Sequence, residues 1–183
     1  MRKFIYLLGF ISAGAFAQEQ QKDVVTVSAN YNFSEPTQYG VSLEFNKGAK
    51  ADERLASWIL NVGYGQLELD EKYLKATGEG FVVELGTRNY FKKGMREGFY
   101  GENFLTHGQI NFDEMVNGEK FEGKYSYWSI FNPNMGYKIQ LTKHLSIDPS
   151  VGFNWKWEVK GDIDNQYFDN FVFKAGVKLG YTF

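Results

Sequence analysis

"FKAGVKLGYTF", residues 173–183, alternates without a break. Phe173, Ala175, Val177, Leu179, Tyr181 and Phe183 are apolar or aromatic, while Lys174, Gly176, Lys178, Gly180 and Thr182 are small or polar. Period two is the mark of a β-strand whose faces meet different surroundings. A chain end is ordinarily frayed and polar. Here the pattern holds through Phe183, which predicts a strand the fold requires.

The same alternation recurs upstream. Val25, Val27, Ala29, Tyr31 and Phe33 share one face of 24–33, and Tyr39, Val41, Leu43 and Phe45 one face of 38–47. Residues 57–66 set Trp58, Leu60, Val62 and Tyr64 against Asn61, Gly63 and Gly65; 80–91 set Phe81, Val83, Leu85 and Phe91 against Glu84, Gly86 and Arg88. Residues 99–112 are weaker, with Phe104, Ile110 and Phe112 in phase. Residues 127–141 set Phe131, Met135, Tyr137, Ile139 and Leu141 against Asn132, Asn134, Gly136 and Lys138; 145–158 set Ile147, Val151, Phe153, Trp155 and Trp157 against Ser146, Asp148, Gly152 and Lys156. Eight such segments predict an all-β fold, an eight-stranded antiparallel up-and-down transmembrane β-barrel.

Alternation alone does not say which face is inside, because a soluble barrel alternates too. The polar face is rich in Gly and Ser, which suit a crowded interior. The aromatics gather near strand ends, as membrane interfaces select. An upper ring would hold Tyr31, Phe33, Tyr39, Tyr64, Phe81, Phe112, Tyr127, Trp155, Trp157 and Phe171, and a lower ring Phe45, Trp58, Phe91, Tyr181 and Phe183. Outer connections are expected at 66–77, 113–124 and 160–167, long and charged, with a tight inner turn at 142–144 and both termini periplasmic. Thr87, Asn89 and Glu102 then fall on the lipid side, which a bulge near Gly86 would relieve. Pro133 and Pro149, within strands, should each mark a bulge or a missing ladder bond.

Arg2 and Lys3, the apolar run 4–13 and Ala15-Phe16-Ala17 have the form of a secretory signal, residues 1–17, with cleavage between Ala17 and Gln18. The barrel would then be residues 18–183, in the bacterial outer membrane. Losing Arg2 and Lys3 from 20 Lys+Arg leaves 18 against 22 Asp+Glu, a net charge of −4. That balance argues against nucleic acid as partner. With no Cys, the chain has neither a disulfide framework nor a lipoprotein anchor.

The ending resembles the C-terminal signal of bacterial outer-membrane proteins, an aromatic last residue with apolar residues two and four before it: Phe183, Tyr181 and Leu179. The resemblance implies recognition by the barrel-assembly machinery. "GTRNYFKKGMREGFYGENF" (86–104) and "MGYKIQLTKHLSIDPSVGF" (135–153) resemble successive hairpins of small bacterial outer-membrane β-barrel proteins, OmpA/OmpX-like barrels of a type common in Bacteroidota. This likeness implies a fold; it implies no catalytic residue.

Little in the chain points to chemistry. His107 and His144 stand far apart, too few for a transition-metal site. His144, Ser146 and Glu158 share the H-x-S…E spacing of outer-membrane lipid A deacylases, but on one strand His144 and Glu158 would be over about 40 Å apart. Asp162, Asp164 and Asp169 lack the glycine turn of a calcium loop. No cofactor is expected. The inward charges are more telling: Glu44, Glu84, Arg88, Lys138, Asp148, Lys174 and Lys178 have mixed signs, and in so narrow a barrel they should pair into a plug. The reading is a monomeric surface-interaction protein in contact with outer-membrane lipid and lipopolysaccharide. A small ion or solute channel is the alternative and a lipid A-modifying enzyme the third; conductance and the lipid A mass spectrum separate them.

Overall fold

The computed structural model describes residues 23–48, 54–71, 74–159, 161–163 and 167–183. The expected signal, with Ala17 and Gln18, lies outside them. Nine strands follow in order: β1 (Val24–Phe33), β2 (Thr37–Asn46), β3 (Ala56–Glu71), β4 (Leu74–Tyr90), β5 (Gly98–Val116), β6 (Glu119–Phe131), β7 (Pro133–Gln140), β8 (Leu145–Glu158) and β9 (Phe171–Thr182). All pairings are antiparallel and join chain neighbours, except that β6 and β7 share their partners and β9 pairs with β1. β5 pairs with β6 over its outer half and with β7 over its inner half, and β8 does the same on the other side. β6 and β7 are thus one barrel strand interrupted at Asn132, and the barrel has eight strands.

β9 pairs with β1 from Thr182↔Thr26 to Ala175↔Phe33, which closes the ring. The Phe183 N–H donates to the Val25 carbonyl at 3.0 Å, so the pairing runs to the last residue. Closure matters because an open edge leaves a row of backbone groups unsatisfied. Val24 and Phe183 lie at one end of the barrel, here called the inner end. The β1–β2, β3–β4, β5–β6 and β8–β9 connections lie at the other.

Both prolines interrupt pairing. Next to Pro133 the β6–β8 register shifts between Trp128 and Phe131, so Ile130 and Phe131 both face outward. Opposite Pro149 the β7–β8 ladder lacks its pairs between Gly136↔Ser150 and Ile139↔Ile147. No bulge occurs at Gly86: the β3–β4 register is continuous from Ala56↔Asn89 to Glu71↔Leu74.

The shift at Ile130–Phe131 reverses the alternation, and this corrects part of the sequence reading. Even residues of β7 point inward, but odd residues of β6 do, so Tyr127 is an interior residue and not part of the upper ring. On β5 the even row faces inward throughout, which places Phe104, Ile110, Phe112 and Glu102 inside and Phe99 and Leu105 outside. Thr87 and Asn89 keep their outward positions.

Two further expectations are corrected. Residues 66–71, 74–77, 113–116 and 119–124 are not loops; they continue β3, β4, β5 and β6. The β5–β6 turn is only Asn117–Gly118, with φ of 54° and 87°. Two left-handed residues in succession form the hairpin turn whose twist matches that of its strands, and Asn-Gly tolerates them best.

Candidate functional site

Outside, every barrel strand presents large apolar side chains: Tyr31 and Phe33, Val41 and Phe45, Trp58 and Val62, Phe81 and Leu85, Phe99 and Leu105, Met135 and Ile139, Val151 and Trp155, Val177 and Leu179, taken around the ring. On β4 and β9 the two aromatic levels, Phe81 to Phe91 and Phe171 to Tyr181, are ten residues apart. At about 3.3 Å per residue and a tilt near 40°, that spans about 25 Å. Such a belt around a closed barrel suits an outer face whose solvent is lipid.

Inside, the lower and middle barrel is polar. All seven charges singled out from the sequence are buried there: Glu44, Glu84, Arg88, Lys138, Asp148, Lys174 and Lys178. Arg88 is the hub, only 1% exposed. Its Nη1 lies 3.2 Å from Glu44 Oε2 and 3.0 Å from Asp148 Oδ2, and its Nη2 3.0 Å from Glu102 Oε2. The guanidinium fork allows this, since its donors point several ways in one plane. The ring of Tyr100 covers it at 3.8 Å. Glu44 also meets Lys138 Nζ at 3.2 Å and accepts from Tyr90 and Ser57 at 2.7 Å each. Lys178 Nζ stands 3.6 Å from Glu102. A second cluster lies apart: Glu84 takes Lys174 Nζ at 2.7 Å, Asn61 Nδ2 at 2.8 Å and Asn132 Nδ2 at 3.0 Å.

Sequence reasoning missed Glu102, although a signal existed. A carboxylate facing lipid is expensive enough to have fixed the phase of β5 by itself. Tyr90 and Tyr100, which wall the Arg88 site with Leu55, were missed too. So was the interior of the outer half, which is apolar. Leu67, Leu69, Ala76, Ile110, Phe112, Tyr125 and Tyr127 form one cluster with Ile163 and Phe168 from the β8–β9 connection. Phe168 packs on Tyr125 with ring centres 4.4 Å apart. No alternation within one strand reveals this, because the connection that completes the cluster is distant in sequence.

The outward face of the same hairpins is charged. Glu68, Asp70, Glu79, Asp113 and Glu122 are exposed on it beside Lys75, Lys120 and the half-exposed Lys124, while Glu114 and Glu119 are exposed at the tip of the inward row. Lys120 reaches Asp113 at 3.1 Å and also pairs with Glu122. Its hydrogen bonds, first to Glu122 and then to Asp113, hold its ammonium above the usual lysine range. Polarity therefore inverts along the strands. In the belt the outside is apolar and the inside polar; beyond it the outside is polar and the inside apolar.

The other candidates do not assemble. His107 points outward, bonded through Nδ1 to the Tyr127 carbonyl at 3.0 Å and stacked on Trp128. His144 is exposed in the inner turn, its Nδ1 2.9 Å from the Thr182 carbonyl and its ring stacked on Tyr181. Ser146 is buried inside, and Glu158 ends β8 at the outer end. Asp162 and Asp169 are exposed, and Asp164 lies outside the described residues. Among the described residues no three His, Asp or Glu side chains are grouped to hold a metal ion. Leu179, Tyr181 and Phe183 face outward at the inner end, beside the β9–β1 seam.

Fold and interior together define a small closed β-barrel with an apolar belt and a packed interior, polar in its inner part and apolar in its outer part. Ail, the attachment invasion locus protein of Yersinia pestis, is similar to it at 14% identity, covering 90% of this chain and 99% of that one with a TM-score of 0.49. Ail in complex with the heparin analogue sucrose octasulfate gives 13% identity, the same coverage and a TM-score of 0.47. Neisserial surface protein A gives 7% identity, 87% and 95% coverage and a TM-score of 0.46. The chain matches no protein-family model and no curated protein. At such identities the side chains differ, and this chain's own residues decide what it does.

Proposed function

We propose that this protein is an integral barrel of the bacterial outer membrane, with both termini periplasmic, that does not conduct and serves as a surface-interaction protein. The observation that carries the proposal is the inversion of polarity along β3–β6. A strand that is apolar outside for one stretch and polar outside for the next has crossed from lipid into water. The outer stretch, from Gln66 to Glu71 on β3 and from Asn111 to Val116 on β5, stands clear of the belt with its own apolar core. It presents acidic outward faces, so the partner it suits is a basic protein surface. A sulfated polyanion would be repelled.

The interior supports the absence of a pore. An eight-stranded barrel has just room for its side chains. Here paired charges occupy the inner half and aromatic rings the outer half. The belt would meet lipid and lipopolysaccharide, and Leu179, Tyr181 and Phe183 would be read by the barrel-assembly machinery.

Conductance in a planar bilayer is the test. Silence, or rare brief openings, is expected from the refolded protein. A steady ion-selective current would reject the plug and put a channel in its place. Binding to basic against acidic protein-coated surfaces then tests the hairpins, and a chain shortened between Asp113 and Glu122 should keep the barrel and lose binding.

A further inference from the structure

The buried charges do not balance. Among the described residues the barrel encloses five cations, Arg88, Lys138, Lys156, Lys174 and Lys178, and four carboxylates, Glu44, Glu84, Glu102 and Asp148. Four of the cations have a carboxylate within 3.6 Å. Lys156 is the fifth. Its side chain is 0% exposed and its Nζ has no hydrogen-bond partner.

Lys156 projects inward from β8 toward two aromatic side chains of β6. Its Nζ lies 5.8 Å from the ring centre of Tyr125 and 5.7 Å from that of Tyr127, and those centres are 5.7 Å apart. Both tyrosine hydroxyls are buried, and both also lack a partner. A buried ammonium without a counter-charge is among the costliest groups a fold can hold. Glu35 and Asp169 act on it from the outer end, but both are exposed and neither is in contact with it. A phenol hydroxyl donates as readily as it accepts. The three groups are therefore neighbouring buried donors, and no carboxylate is hydrogen-bonded to any of them. Phe168 covers Tyr125 by packing on its ring. Asn154 Oδ1, in the same inward row of β8, is a further unpartnered acceptor, suited to a water beside the guest.

We propose that Lys156, Tyr125 and Tyr127 form an internal site for one halide-sized inorganic anion, which neutralises the interior. The anion needs no pore; it can be captured as the barrel folds.

The test uses the full-length barrel refolded in detergent, with sodium bromide exchanged for sodium gluconate at constant ionic strength. The unfolding midpoint of the natural chain should rise with bromide and then saturate, as binding to the folded state alone requires. Lys156→Met should abolish that response. Tyr125→Phe and Tyr127→Phe keep the lysine and should each weaken apparent bromide affinity about tenfold, the scale of one hydrogen bond; they serve if Lys156→Met does not fold. Crystals grown in bromide should show anomalous density beside Lys156 Nζ. Equal bromide responses in the natural chain and the variants would overturn the inference. So would absence of that density, which would leave Lys156 solvated by trapped water alone.

Discussion

Arg88 holds three carboxylates within 3.2 Å while Tyr100 covers its guanidinium. Replacing it strands negative charges in a space without bulk water. Removing one partner of a buried ion pair typically costs about 3–5 kcal/mol, and Arg88→Met should lose at least that. Lys138→Met should lose less, because Glu44 keeps Arg88, Tyr90 and Ser57. Arg88→Lys should fall between, since an ammonium lacks the fork that reaches separate acceptors. Urea midpoints of the refolded barrel, followed by the folded form's altered gel mobility, give the order. A midpoint for Arg88→Met equal to that of the natural chain would reject the hub.

At the scale of the element, Asn132 bridges the gap between β6 and β7. Its N–H donates to Asn103 Oδ1 at 3.1 Å, its Nδ2 to Thr106 Oγ1 at 2.8 Å and Glu84 Oε1 at 3.0 Å, and its carbonyl accepts from the Phe104 N–H at 3.3 Å. Asn132→Ala removes the side-chain bonds and should cost about 1–3 kcal/mol, the penalty for buried partners left unsatisfied. The β5–β6 turn behaves differently. Gly118 has φ 87°, and Gly118→Val should strain the hairpin tip alone. Amide exchange should quicken over 113–122 while β1, β2 and β9 stay protected; equal loss of protection in the barrel strands would show the hairpin and barrel to be one cooperative unit.

At the scale of the whole molecule, charge is divided between the ends. The outward faces of the projecting hairpins carry five acidic side chains and three lysines. Around the inner end the described residues include Lys47, Arg54, Lys92, Lys93, Arg96 and Lys143 against Asp23 and Glu97. Lysines and arginines beside an aromatic ring can lay their stems along the apolar belt with their charges among phosphate headgroups. With the hairpins outside the cell, an epitope inserted at Asn117–Gly118 should be stained on intact cells, and one added after Phe183 only after permeabilisation. The reverse pattern would reverse the orientation.

The alternation of 173–183 and seven further segments, with the aromatics near strand ends, was enough to read a barrel of eight strands, because period two is a local property of a strand between two solvents. Three things were decided only in three dimensions. The bulge at Ile130–Phe131 turned Tyr127 inward, since a phase reversal depends on how β6 meets β8. Glu102 found Arg88 and Lys178 across the barrel, because a charge is placed by the partners that closure brings to it. The apolar outer core formed because hairpins that leave the belt meet water and must bury their own inner face, and the segment that covers it, with Ile163 and Phe168, comes from the far end of the chain.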